Sequence, residues 1–155
     1  MKLCIKQKMF SWFDSYNVYD ENHNIVYNVQ GRLAWGHKFV IYDADGDEVG
    51  MVQEAKLTWM PKFRLYERGN YIGEIRRKIS FFNPKYEIDH KDWTAIGNFV
   101  EWNYDIKSPS GCVATVYKKI FNFTDTYVID VDNPADALCC LMFALAIDAE
   151  KCSRG

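Results

Sequence analysis

An unbroken apolar run near the C-terminus constrains this chain more than any other feature. From Ala137 to Ile147 the sequence reads Ala-Leu-Cys-Cys-Leu-Met-Phe-Ala-Leu-Ala-Ile, without one polar side chain. Asn133 stands where a helix cap would, Pro134 suits the first helical position, and Asp136 complements the exposed N–H groups of a first turn. About fourteen residues of helix follow, roughly 21 Å long. A helix apolar on every side cannot lie on a surface with one wet face. It is also shorter than the roughly 20 apolar residues needed to cross a bilayer. The rest of the chain must therefore enclose it.

That enclosure is built from a recurring phrase: an aromatic, any residue, an aliphatic, then usually Tyr or Asp. It reads Tyr16-Asn-Val18-Tyr19, Phe39-Val-Ile41-Tyr42, Phe63-Arg-Leu65-Tyr66, Tyr86-Glu-Ile88-Asp89, Tyr104-Asp-Ile106-Lys107 and Tyr127-Val-Ile129-Asp130. The spacing is about 23 residues, with one shorter step of about 18 between the fourth and fifth, close to the period of a supersecondary repeat. Each phrase alternates with the period-two signature of a strand. Turn chemistry follows each of the first five, as in Asp43-Ala-Asp-Gly46 and Ser108-Pro-Ser-Gly111. A second strand follows each turn: Ile25 to Val29, Glu48 to Gln53, Tyr71 to Ile79, Trp93 to Phe99 and Cys112 to Ile120. An opening strand from Leu3 to Lys8 brings the count to about twelve antiparallel strands and one helix. A sheet that long offers exposed edges unless it closes, and a closed barrel of about twelve strands has room for a helix as its axle. The predicted fold is a mainly β, closed antiparallel barrel around a central hydrophobic C-terminal helix, with residues 1–155 as a single domain.

Composition narrows the function classes. Hydrophobic residues make up 48%, which argues against disorder, and a formal charge of -2 gives no global attraction for nucleic acid. The opening Met-Lys-Leu-Cys-Ile-Lys-Gln-Lys lacks the apolar core of a signal peptide. Five cysteines are an odd number, and Cys139 and Cys140 lie side by side in the apolar run. They read as small buried hydrophobes, and a reducing cytoplasm is the expected setting.

The opening Ile5-Lys6-Gln7-Lys8-Met9-Phe10-Ser11, the repeated hairpins, Gly73-Glu-Ile-Arg-Arg-Lys-Ile79 and the closing apolar helix together resemble the LURP-one-related (YxjI-like) family over essentially the whole chain. That family is similar in fold to the Tubby C-terminal domain and the phospholipid scramblases. The resemblance implies a twelve-stranded barrel around its own helix. It implies no particular chemistry, because the family's biochemical role is largely undefined.

Candidate chemistry is sparse. Asp43-Ala-Asp45-Gly46-Asp47-Glu48 has its glycine too early for a calcium loop and reads as a hairpin turn. His23, His37 and His90 fall in or beside different loops, and no Cys or carboxylate spacing completes a metal set. No nucleophile elbow or phosphate-binding glycine loop is present. The expectation is a non-enzymatic module with no catalytic residues, no metal and no cofactor. The basic residues remain. Ile75 and Ile79 face inward by alternation, so Arg76 and Lys78 face solvent, and Lys119 does likewise in the equivalent repeat. These three are the candidate ligands for an anionic lipid head group, with Lys6, Lys8, Lys62 and Arg64 also on the outer wall. The expected partner is an anionic phospholipid at a membrane surface, approached peripherally and without a transmembrane segment. A protein partner, met through Trp12, Trp35, Trp59 and Trp93, is the alternative. Arg77 and Lys118 share parity with inward aliphatics, which calls for a rim position, a bulge or a buried carboxylate.

Overall fold

The computed structural model describes residues 1–6, 15–34, 36–55, 59–78, 84–89, 91–121 and 124–154. Twelve strands form one closed antiparallel barrel: β1 Lys2–Ile5, β2 Ser15–Tyr19, β3 Ile25–Ala34, β4 Gly36–Asp43, β5 Glu48–Glu54, β6 Lys62–Glu67, β7 Asn70–Lys78, β8 Lys85–Ile88, β9 Trp93–Asn98, β10 Asn103–Ser108, β11 Gly111–Phe121 and β12 Thr124–Val131. Each strand pairs with its neighbours in sequence. The ring shuts where β1 meets β12, with Leu3 opposite Ile129 and the N-terminal ammonium donating to the Val131 carbonyl at 3.0 Å. A closed ring leaves no edge for a foreign strand.

The six-fold phrase places two inward layers. Tyr16, Phe39, Phe63, Tyr86, Tyr104 and Tyr127 form one, and Val18, Ile41, Leu65, Ile88, Ile106 and Ile129 the next, all of them buried. Just beyond the aliphatic, the ladder slips at Val18/Tyr19, Ile41/Tyr42, Leu65/Tyr66 and Ile106/Lys107. A bulge at the same point of four repeats adds local twist and bend, which helps a sheet of this length close on itself.

Asn133 caps a single 3-10 turn, Pro134–Asp136, accepting from the Ala135 N–H at 3.1 Å. The helix α1, Ala137–Arg154, follows and runs through the barrel. Leu141, Met142 and Phe143 are fully buried, as are Cys140, Ala144 and Ala146 on the other faces. Burying each large side chain contributes about 1.5–3 kcal/mol. The strands approach the helix closely at Gly50. A Cβ built there would sit 3.2 Å from Leu138 Cδ1 and 3.3 Å from Met142 Sδ.

The helix is longer than the apolar run predicts. It continues past Ile147 to Arg154, and its buried stretch includes Asp148 and Glu150, each 2% exposed. Nothing between Asp148 and Arg154 breaks a helix, and both carboxyl groups still lie within the wall of strands.

Because the strands alternate in direction, the barrel has two distinct ends. The entry end carries the turns after β2, β4, β6, β8 and β10, and the start of α1. The exit end carries the connections after β1, β3, β5, β7, β9 and β11, and the end of α1. At the entry end Arg68 (φ 47°) and Gly69 (φ 81°) make the two-residue left-handed turn that matches strand twist. The Asp43 to Glu48 segment is likewise a hairpin turn, tied by Asp43 Oδ1 accepting from the Asp45 N–H at 3.0 Å and the Asp47 N–H at 2.9 Å.

Candidate functional site

The aromatic layer lies at the exit end, level with the last turns of α1. Four of its six members are tyrosines, on β2, β8, β10 and β12, so one side of the ring carries hydroxyls and the Phe39–Phe63 side does not. The two carboxyl groups of α1 fall among them. The Tyr86 hydroxyl donates a short hydrogen bond to Glu150 Oε2. Arg77 Nη1 approaches Glu150 Oε1 at 3.6 Å, so the basic side chain of inward parity on β7 meets a buried carboxylate. Lys118, of the same parity on β11, lies at the rim, 36% exposed, and pairs with Asp125 at 3.7 Å.

Asp148 is different. Among the described residues its Oδ1 is buried without a hydrogen-bond partner, and so are the hydroxyls of Tyr16 and Tyr104. Burial pushes the Asp148 carboxyl well above the usual carboxylate range, and Lys151 only partly offsets this. Burial, with the Asp148 charge second, also raises the Tyr16 and Tyr104 phenols. Burial thus disfavours the charged form of each of these three groups. The loop after β9 roofs them. Phe99 packs against Tyr86 (4.8 Å between centroids) and Tyr104 (4.9 Å), and Trp102 packs against Tyr127 (4.7 Å). Lys151 reaches across this roof, donating to the Phe99 carbonyl, its ammonium 4.9 Å from the Trp102 ring centroid.

Outside that roof the exit end is apolar-tipped and basic. Trp59 (91% exposed) and Val100 (80%) project from the connections after β5 and β9, and Ile120 (78%) from the last residues of β11. Lys62, Lys78, Lys85, Lys118 and Lys119 stand at the strand ends beside them.

The sequence-predicted ligands Arg76, Lys78 and Lys119 all face outward, as alternation requires. Arg76 and Lys78 are two residues apart on β7. Each has a carboxylate partner at 3.0 Å: Glu74 for Arg76 and Glu87 for Lys78. Lys119 lies on β11, four strand steps round the ring, and its ammonium sits 5.6 Å from the Tyr117 ring centroid. At about 4.8 Å per step, roughly 19 Å of sheet separates β7 from β11. The three share a rim region without converging on one point. Lys6 and Arg64 are exposed and Lys62 is half-buried, while Lys8 lies outside the described residues.

Several other sequence candidates resolve individually. His37 is the second residue of β4, and its Nδ1 contacts Glu54 Oε2 at 2.6 Å. Both side chains are partly shielded there, and the Glu54 carboxylate also accepts from the His37 backbone N–H at 3.0 Å. His23 is exposed in the turn after β2, and His90 lies outside the described residues. Among the described residues no three His, Cys, Asp or Glu side chains gather at metal-binding distance. Cys139 and Cys140 are buried, and burial pushes the Cys139 thiol up to about 12, which leaves it without thiolate character at neutral pH. Trp59 is open to solvent, Trp93 is buried, and Trp12 and Trp35 lie outside the described residues.

What sequence reading misses is the buried Asp148–Glu150 pair and its tyrosines. The signal is present: the leading aromatic is Tyr in four phrases and Phe in two, and two acids directly follow the apolar run.

Comparison with known proteins settles the kinship. The family model described as LURP-one-related matches residues 1–148. The chain belongs to the LURP-one-related family. Among the relatives of this LURP-one-related protein is the uncharacterized protein YxjI of Bacillus subtilis, 24% identical over 149 residues, covering 96% of this chain and 92% of that one. A solved structure of an Arabidopsis thaliana protein is similar in fold, with a TM-score of 0.61 at 15% identity, covering 92% of this chain and 88% of that one. Neither name carries an activity.

Proposed function

We propose that this LURP-one-related protein is a non-enzymatic binding module that docks its exit end on an anionic membrane surface. The observation that carries the reading is the exposure of Trp59 and Val100 on two connections and of Ile120 at the close of β11, all at one end that also carries lysines at its strand ends. Tryptophan favours the headgroup level of a bilayer, where its ring is half in hydrocarbon and half in water. Each lysine held near an anionic leaflet adds about 1 kcal/mol, and the gain is screened by salt. A barrel whose lumen is filled by its own helix has only walls and rims to offer a partner. Lys78 and Lys119 take part as separate contacts along that rim, and Arg76 stands behind them on β7. No helix among the described residues is long and apolar enough to cross a membrane, so the contact is peripheral as far as helices are concerned.

Flotation with phosphatidylcholine vesicles, with and without phosphatidylserine, tests the reading. At low salt the protein floats with the anionic vesicles, and Trp59→Ala together with Ile120→Asn lowers recovery several-fold. Replacing Lys78 and Lys119 with Glu lowers it further. Equal recovery with neutral and anionic vesicles would remove the lipid reading.

A further inference from the structure

The entry end offers a second surface of opposite character. The turns after β2, β4 and β6 and the first residues of α1 surround a cleft of about 500 Å³. Its floor is apolar: Ile25 is 47% exposed, and Tyr27 and Leu138 are half-buried beside it. Its rim carries four carboxylates, Asp20, Asp43, Asp45 and Glu67, against one guanidinium, Arg68. None of the four forms an ion pair among the described residues, whereas Asp125 and Glu87 towards the exit end pair with lysines. Two of the rim charges are fixed in place by their own turns. Asp20 Oδ1 accepts from the Asn22 and Asn24 N–H groups at 2.8 and 2.9 Å, and Asp43 is held as described above.

We propose that this cleft docks a basic peptide segment of a partner protein, one apolar side chain seated over Ile25, Tyr27 and Leu138 and flanking lysines or arginines reaching the carboxylate rim. Charge complementarity decides the occupant. An uncompensated acidic rim repels an anionic ligand or an anionic membrane and concentrates a cationic one. The apolar floor gives such a segment an anchor that a simple counter-ion would not use. The surface is independent of the lipid reading, since it lies at the other end of the barrel.

The test uses the full chain and a fluorescein-labelled hexapeptide of alternating lysine and leucine, with a glutamate-leucine peptide as counterpart. At low salt the lysine peptide binds and the glutamate peptide does not. The double substitution Asp45→Lys and Glu67→Lys weakens binding at least tenfold, and Glu101→Lys, exposed in the connection after β9 at the far end, leaves it unchanged. Methyl spectra of the unaltered chain report the position without any substitution: peptide addition shifts Ile25 and Leu138. The proposal is overturned by equal binding of the two peptides, by indifference to the double substitution, or by shifts confined to Val100 and Ile120. It is also overturned if the protein alone forms chains at low salt that the double substitution dissolves, because the occupant would then be a second copy.

Discussion

The two ends of this barrel are made from the same repeat and solve different problems. At the entry end the turns after β2 and β4 are short, acidic and tied by their own side chains, and the helix begins there after a capped 3-10 turn. At the exit end the last turns of the helix carry Asp148 and Glu150 beneath a roof of Phe99 and Trp102, with apolar tips and lysines outside. One end is fixed by backbone geometry and the other by side-chain packing around buried polar groups. The difference teaches that a repeat sets the wall of such a barrel, while whatever fills and caps it sets the character of each mouth.

That comparison can be broken most severely through the axle both ends share. Phe143→Ala, in the middle of α1, should cost about 4 kcal/mol, with the ends still unfolding in a single thermal transition. Two separable transitions would show the ends to be independent. Gly50→Val tests the entry half of the helix alone. Its extra atoms meet Leu138 and Met142, and overpacking of this kind costs about 1–3 kcal/mol by denaturant titration.

The exit end should answer to rising pH through its buried carboxyl. Native Asp148 holds its proton to higher pH than an unfolded aspartate, whose ordinary value is about 3.9. Stability from this residue is therefore complete below that value and is lost as pH rises towards the native one. Asp148→Asn should gain stability over the parent as pH climbs from about 4 to 8. A constant difference across that range would mean that the carboxyl does not titrate inside the barrel. Smaller still is Gly69→Ala in the entry turn, where φ of 81° disfavours a side chain and a loss of about 1 kcal/mol is expected. The exposed Lys78–Glu87 pair stands last. Lys78→Ala should change stability by well under about 1 kcal/mol while still lowering recovery with anionic vesicles.

Most of the wall was legible because parity is a local property. Alternation alone puts Phe63 and Leu65 inside and Arg76 and Lys78 outside, and an apolar helix with no wet face has one place to go. The rims were harder to read. Whether Lys119 neighbours Arg76 depends on how many strands lie between them round the ring, which no spacing within a repeat encodes. The role of Gly50 is contact with a helix some ninety residues later, a property of the closed object that no local pattern encodes. Asp148 was hidden for a related reason: two acids after an apolar run look like the start of a wet tail, and it is the surrounding strands and the roof of Phe99 and Trp102 that keep them dry.

The seam between β1 and β12 joins the first residues of the chain to nearly the last, and α1 is made after both. During synthesis the staves are all available before the core that they must surround. A ring that shut early would trap a void, and the finished wall would bar the helix from threading in. Assembly must therefore wait for the eighteen residues of α1, leaving the nascent sheet open, with its apolar face unsheltered, until they have been made.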